Sequence, residues 1–137
     1  MIQSLREYVA TCPHLDSLTD DIHVDWMKKD DPADFGIFNG GDRKLSEDMA
    51  GNARRQITVY VQTSQYMMND LVRLENSDLI EDIQNWVNDN AHSPFPLPQN
   101  IDFEYIEAGE GTPIDVSGDG QAFVYRIPIN LYYERMK

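Results

Sequence analysis

Asp115, Ser117, Asp119 and Gly120 stand in the D-x-S-x-D-G spacing with which an acidic loop begins to wrap a calcium ion. Such a loop closes its shell with a bidentate Glu at the twelfth position, and here that position is Arg126, inside an alternating segment. The same residues make a tight turn between two strands, which is the expectation here. Asp30, Asp31 and Asp34 offer oxygen ligands for a weakly held divalent ion, but a solvated turn accounts for them as well. His14, His23 and His92 fall in a turn, on a strand and after a helix, without the spacing of metal ligands. Cys12 and His14, on either side of Pro13, are a thiol and a base without the arrangement nucleophilic catalysis requires. No G-x-S-x-G, Walker-type loop or G-x-G-x-x-G occurs, and carboxylates are too plentiful to single out an acid–base pair. The expectation is a protein that is not an enzyme and holds no cofactor and no metal.

Residues that do no chemistry must then be read through the elements that hold them. In Ser77 to Asn90, Leu79, Ile80, Ile83, Trp86 and Val87 recur at steps of three and four, while Asp78, Glu81, Asp82, Asn85 and Asp89 point away. This predicts an amphipathic helix with Ser77 as its N-cap. A preceding helix over Tyr66 to Leu74 joins it through a bend near Ser77. Residues 1 to 10 predict a short helix with Ile2, Leu5 and Val9 on one face and Tyr8 at its margin, ended before Pro13.

Alternation marks the strands. Asp21 to Met27, Phe35 to Phe38, Arg54 to Ser64, Ile101 to Glu107 and Gln121 to Tyr133 each read with period two. Ile101, Phe103 and Tyr105 share one face, as do Phe123, Tyr125, Ile127, Ile129, Leu131 and Tyr133. Pro128 cannot donate to a ladder, so its strand must be bulged, at an edge, or free on one side there. Asn39 to Gly51 and Ala108 to Gly120 read as mobile loops, and Ser93 to Pro98 as an extended return. The fold expected is a single α+β domain over 1–137. Its mainly antiparallel sheet has four to five strands, with the N-terminal helix and a long central helix packed on one face.

The chain has 137 residues, enough for one core that hides roughly two thirds of the unfolded surface. The single cysteine points to a reducing compartment. Neither a leader nor an apolar run of about 18 residues is present, so a soluble, internal protein without a membrane is expected. The net charge of -13 is spread along the chain and disfavours binding to nucleic acid through phosphates. It suits basic partners, or an acidic wall past which DNA slides. On the sheet face away from the helices the alternation places Tyr60, Tyr132, Val124 and Met27, apolar groups where a solvated face would carry charge.

Four strings, Ser4 to Asp16 (S-L-R-E-Y-V-A-T-C-P-H-L-D), Arg55 to Tyr66 (R-Q-I-T-V-Y-V-Q-T-S-Q-Y), Leu74 to Val87 (L-E-N-S-D-L-I-E-D-I-Q-N-W-V) and Tyr125 to Tyr133 (Y-R-I-P-I-N-L-Y-Y), span almost the whole chain. Together they resemble a family of small phage and prophage proteins, labelled minor capsid proteins, that look like tail terminators of long-tailed phages. The resemblance implies a non-catalytic virion subunit, made in the host cytoplasm, that forms a ring, generally a hexamer, on the head-proximal end of the tail tube. Its implied partners are itself, the tail tube protein and a head-completion or neck protein, with DNA crossing the lumen unbound. Tyr60, Gln62, Tyr66, Val124, Arg126 and Tyr132, with Arg43 and Lys44 on the first loop, are the expected subunit or tube contacts. A head-closure or neck protein of the same machinery shares this size and acidity. A monomeric acidic inhibitor of a basic protein is the rival from another class.

Overall fold

The longest alternation in the chain becomes the spine of the sheet, because only a strand buried on one side and paired on both edges needs period two for so long. The computed structural model describes residues 1–13, 22–24, 35–66, 70–116 and 122–137. Within these, α1 (Ile2–Ala10) is followed by β1 (Ile22–Val24), β2 (Phe35–Glu47), β3 (Ala53–Tyr66), α2 (Asp70–Asp89), β4 (Ile101–Ala108), β5 (Thr112–Val116) and β6 (Ala122–Arg135). The sheet order is β1-β2-β3-β6-β4, with β5 also paired to β6. β1 runs parallel to β2, and the other pairs are antiparallel. The chain is therefore one α+β domain, with six strands among the described residues where four to five were expected.

Both helices pack on one face of this sheet. Leu5, Tyr8 and Val9 of α1 join Ile80, Ile83 and Val87 of α2 in one core with Phe35, Ile37, Ile57, Val59, Val61, Ile106, Ile127, Ile129 and Leu131. Each fully buried aliphatic side chain here stabilises the fold by about 1.5–3 kcal/mol relative to exposure. Tyr8 lies at the centre of α1's contact rather than at its margin, stacked on Trp86 at 5.0 Å and on Phe95 of the extended return at 4.4 Å.

Several local expectations are corrected. Asn39 to Gly51 is not a loop: β2 runs to Glu47, and a turn at Asp48 leads into β3. Asp48 Oδ1 accepts from the amides of Ala50 and Asn52, and Gly51 takes a φ of 89°. Alternation is absent from this half of β2 because Asn39 to Glu47 are exposed on both faces, so backbone pairing and polar side-chain bonds hold it rather than apolar burial. Tyr66 ends β3 instead of opening a helix. Ser77 lies inside α2, without the predicted bend or N-cap, because α2 begins at Asp70. Ala108 to Gly120 contains β5. The rest of the proposed strand Asp21 to Met27, the charged turn after it, and the turn 117–120 lie outside the described residues.

β4 and β5 together follow one side of β6, interrupted at Gly109 to Gly111. The break answers Pro128. The Pro128 carbonyl accepts from Gly109 N at 2.8 Å, so its nitrogen, which has no hydrogen, points to the same edge. Of the arrangements the proline allowed, this is the strand left free of ladder pairing on one side there, since Pro128 stays in register with Tyr60 on the other. A Cβ on Gly109 would stand 2.7 Å from Pro128 Cγ, and one on Gly111 would collide with Ile80 Cγ2 and meet Ile127 Cγ1 at 3.1 Å. Gly111→Val is expected to cost about 1–3 kcal/mol by overpacking the contact between α2 and β6. A urea midpoint unchanged from wild type would show that the edge simply moves aside.

The outer backbone of this edge is also covered. Asn88 of α2 accepts from Ala108 N at 2.9 Å and donates to its carbonyl at 3.3 Å, as a neighbouring strand would. Ala91 O accepts from Ile106 N at 2.9 Å, and Gln84 Oε1 from Gly111 N at 3.0 Å. The helix thus blunts an edge that would otherwise pair with another chain.

Candidate functional site

Residues of opposite parity to the core form a second sheet face, which no described helix covers. From β3 it receives Arg54, Gln56, Thr58, Tyr60 and Gln62, and from β6 Arg126, Pro128, Asn130, Tyr132 and Glu134. The register aligns them in rows across the strands: Phe38, Tyr60 and Pro128 in one, Gln62 and Arg126 in the next, and Arg43, Gln56 and Tyr132 in a third. β4 supplies Tyr105 through a bulge at Glu104, which breaks its alternation. Tyr105 therefore leaves the predicted face of Ile101 and Phe103 and stacks on Tyr132 at 4.3 Å and 14°.

The polar side chains of this face are tied to one another. Arg43 donates from Nε and Nη2 to Gln56 Oε1 at 3.1 and 2.9 Å. Gln56 Nε2 and Thr58 Oγ1 both donate to Asn130 Oδ1, at 3.0 and 2.6 Å. Asn130 Nδ2 and the Tyr132 hydroxyl reach Glu107 Oε1 at 3.4 and 3.0 Å. A continuous chain of hydrogen bonds so crosses β2, β3, β6 and β4. Burial, and then the Glu107 carboxylate, push the Tyr132 phenol up to about 12, so it remains a donor through neutral pH.

The two ends of the face differ. Arg126 lies over the Tyr60 ring at 4.5 Å, a cation–π contact beside Phe38 and Pro128. At the β4 end Arg54 grips Glu104 with two bonds of 3.0 Å, near Asp102 and Glu134, which face each other across the strands. One end is aromatic with a cation, and the other is acidic.

Of the expected contact residues, Tyr60, Gln62, Arg126, Tyr132 and Arg43 meet on this face. Val124 is corrected: it is buried, so it offers no surface, and it stands outside the main core cluster. Lys44 aligns with Arg55 on the other side of β2 and pairs with Glu47 at 2.8 Å. The Tyr66 side chain and Met27 lie outside what is described. Phe38, Pro128 and Tyr105 were missed. Parity could have found the first two; the bulge hid the third.

A second polar cluster lies on the helix side of the sheet, near the N-terminal end of α1. Asp42 accepts from Arg55 Nε at 3.0 Å and from the Tyr133 hydroxyl, and burial followed by this carboxylate pushes Tyr133 up to about 12. It borders an open groove of about 630 Å³ between Met1, Asn100 and Lys137. Its charges already satisfy each other, so it reads as a structural ion pair. No known protein family matches the chain, and no curated protein matches it.

Proposed function

We propose that this chain is a structural subunit of a phage tail. Copies of it form a ring, a hexamer, that caps the head-proximal end of the tail tube, ends tube polymerisation and offers the docking surface for head-completion or neck proteins. The role is non-catalytic, the location is the virion tail, and the long central helix α2 backs the sheet of each subunit. The observation that carries this reading is the asymmetry of the sheet. Helices cover one face, while the other presents aromatic rings and guanidinium groups fixed by hydrogen bonds, the composition of a contact surface rather than of a solvated one. The order of elements along the chain suits the terminator resemblance. The charge of -13 suits a lumen that DNA crosses without sticking.

Light scattering after size exclusion tests this over a range of protein and magnesium concentrations. The expected result is a particle of about six times the subunit mass of 15.8 kDa. By electron microscopy it should cap tail tubes at one end. A strict monomer that never decorates a tube would overturn the proposal and favour the acidic inhibitor.

A further inference from the structure

Basic groups are scarce in this chain, and at least three of those described already have a carboxylate. Lys44 pairs with Glu47, Arg54 with Glu104 and Arg55 with Asp42. On the uncovered face Arg43 and Arg126 differ from Arg54: one donates to a neutral amide, the other lies on a ring, and neither has an ion pair among the described residues. They mark the ends of a diagonal across the uncovered face, past Thr58 and Tyr60. On the opposite side of the subunit, α2 exposes Asp78, Glu81, Asp82 and Asp89 around the stripe opposite its buried one, also without ion pairs among the described residues. Its last turn has no basic residue, so Asp89 faces the negative end of the helix dipole uncompensated.

We infer that the occupant of the open face is the acidic outer side of α2 from a second copy of this chain, an inference that rests on the ring reading above. The dimensions agree. Gln56 and Gln62, the β3 partners of Arg43 and Arg126, are about 20 Å apart along the strand, and two strand spacings add about 10 Å across, a diagonal of about 22 Å. Asp78 to Asp89 spans about 16 Å along the helix, and long arginine side chains close the difference. The carboxylates at the β4 end repel an acidic helix and steer it onto that diagonal. Phe38, Tyr60 and Pro128 supply the apolar centre between the two charged ends. Because the two surfaces lie on opposite sides of one subunit, the contact is head-to-tail, the kind that closes into a ring when the rotation between copies permits.

The test uses Arg126→Glu, Asp82→Arg and the chain carrying both, at fixed ionic strength, with circular dichroism and thermal melting to show that each is folded. Each single variant is expected to weaken self-association by about tenfold or more. The two single variants mixed should assemble again in alternation, since the helix of Arg126→Glu fits the face of Asp82→Arg and the two altered surfaces carry opposite charges that fit each other. The double variant should regain larger assemblies. If wild type assembles and the single variants assemble equally well, or fail to assemble when mixed, the helix-to-face contact is overturned while the ring reading stands. A wild type that is monomeric throughout and never caps a tube overturns both.

Discussion

Tyr8→Ala is expected to lose about 3–5 kcal/mol of stability, whereas Tyr8→Phe should match wild type or gain about 1 kcal/mol. The ring lies where α1, α2 and the extended return meet, between Trp86 and Phe95, and 7 % of the residue is exposed. Truncation to alanine removes both stacks and leaves a cavity that three separate elements would have to close together. The hydroxyl is another matter. It is buried without a hydrogen-bond partner among the described residues, and an unpaired hydroxyl costs about 1–3 kcal/mol to bury. Phenylalanine keeps the stacks and removes that cost. Urea denaturation of the three proteins measures both effects, and a loss above 1 kcal/mol in Tyr8→Phe would show that the hydroxyl is bonded.

Alkaline pH should unfold the protein well before its arginines titrate. Burial, and then the Cys12 thiolate, push Tyr8 up to about 12, and Tyr133 is likewise near 12. In the unfolded chain both ionise at about 10. The stabilisation is therefore whole below about pH 10 and is lost as pH rises towards 12. In that window the unfolded state binds fewer protons, so each tyrosine lowers the unfolding free energy by about 1.4 kcal/mol per pH unit. Solvent screening reduces this at Tyr133, so together the two remove a few kcal/mol, a sizeable part of the stability of a small domain. Tyr132, only partly buried and screened by solvent, adds less. Unfolding free energies at a series of alkaline pH values, with phenolate absorbance of the folded protein, measure this. Tyr8→Phe should reduce the slope by one proton, and phenolates titrating at their ordinary value in the folded protein would refute the account.

Which parts of this fold were legible depended on burial being one-sided. β3 and β6 alternate because one face meets the helices, and the same parity placed Tyr60, Gln62, Arg126 and Tyr132 together on the other. α1 and the stripe of α2 were legible for the equivalent reason at helical spacing. The second half of β2 was not, since a strand with water on both faces has no reason to alternate. That loss also hid Arg43's place in the hydrogen-bonded chain. Tyr105 was assigned to the wrong face because a single bulged residue at Glu104 inverts everything after it, and nothing in I-D-F-E-Y-I announces it. Val124 obeys parity but not exposure: opposite-face position did not make it accessible. β5 was obscured by Pro113 and its flanking glycines, which read as turn chemistry although the strand pairs from Thr112.

The hydrogen-bonded chain from Arg43 to Glu107 also bears on how fast and how tightly this surface can engage. Long side chains normally surrender rotamer freedom on docking, at about 0.5–1.5 kcal/mol each. Here Arg43, Gln56, Asn130 and Glu107 are immobilised by one another before any partner arrives. The entropic penalty falls on folding instead of on encounter. Free and assembled subunits should then carry the same rotamers on this face, and association should proceed without an ordering step.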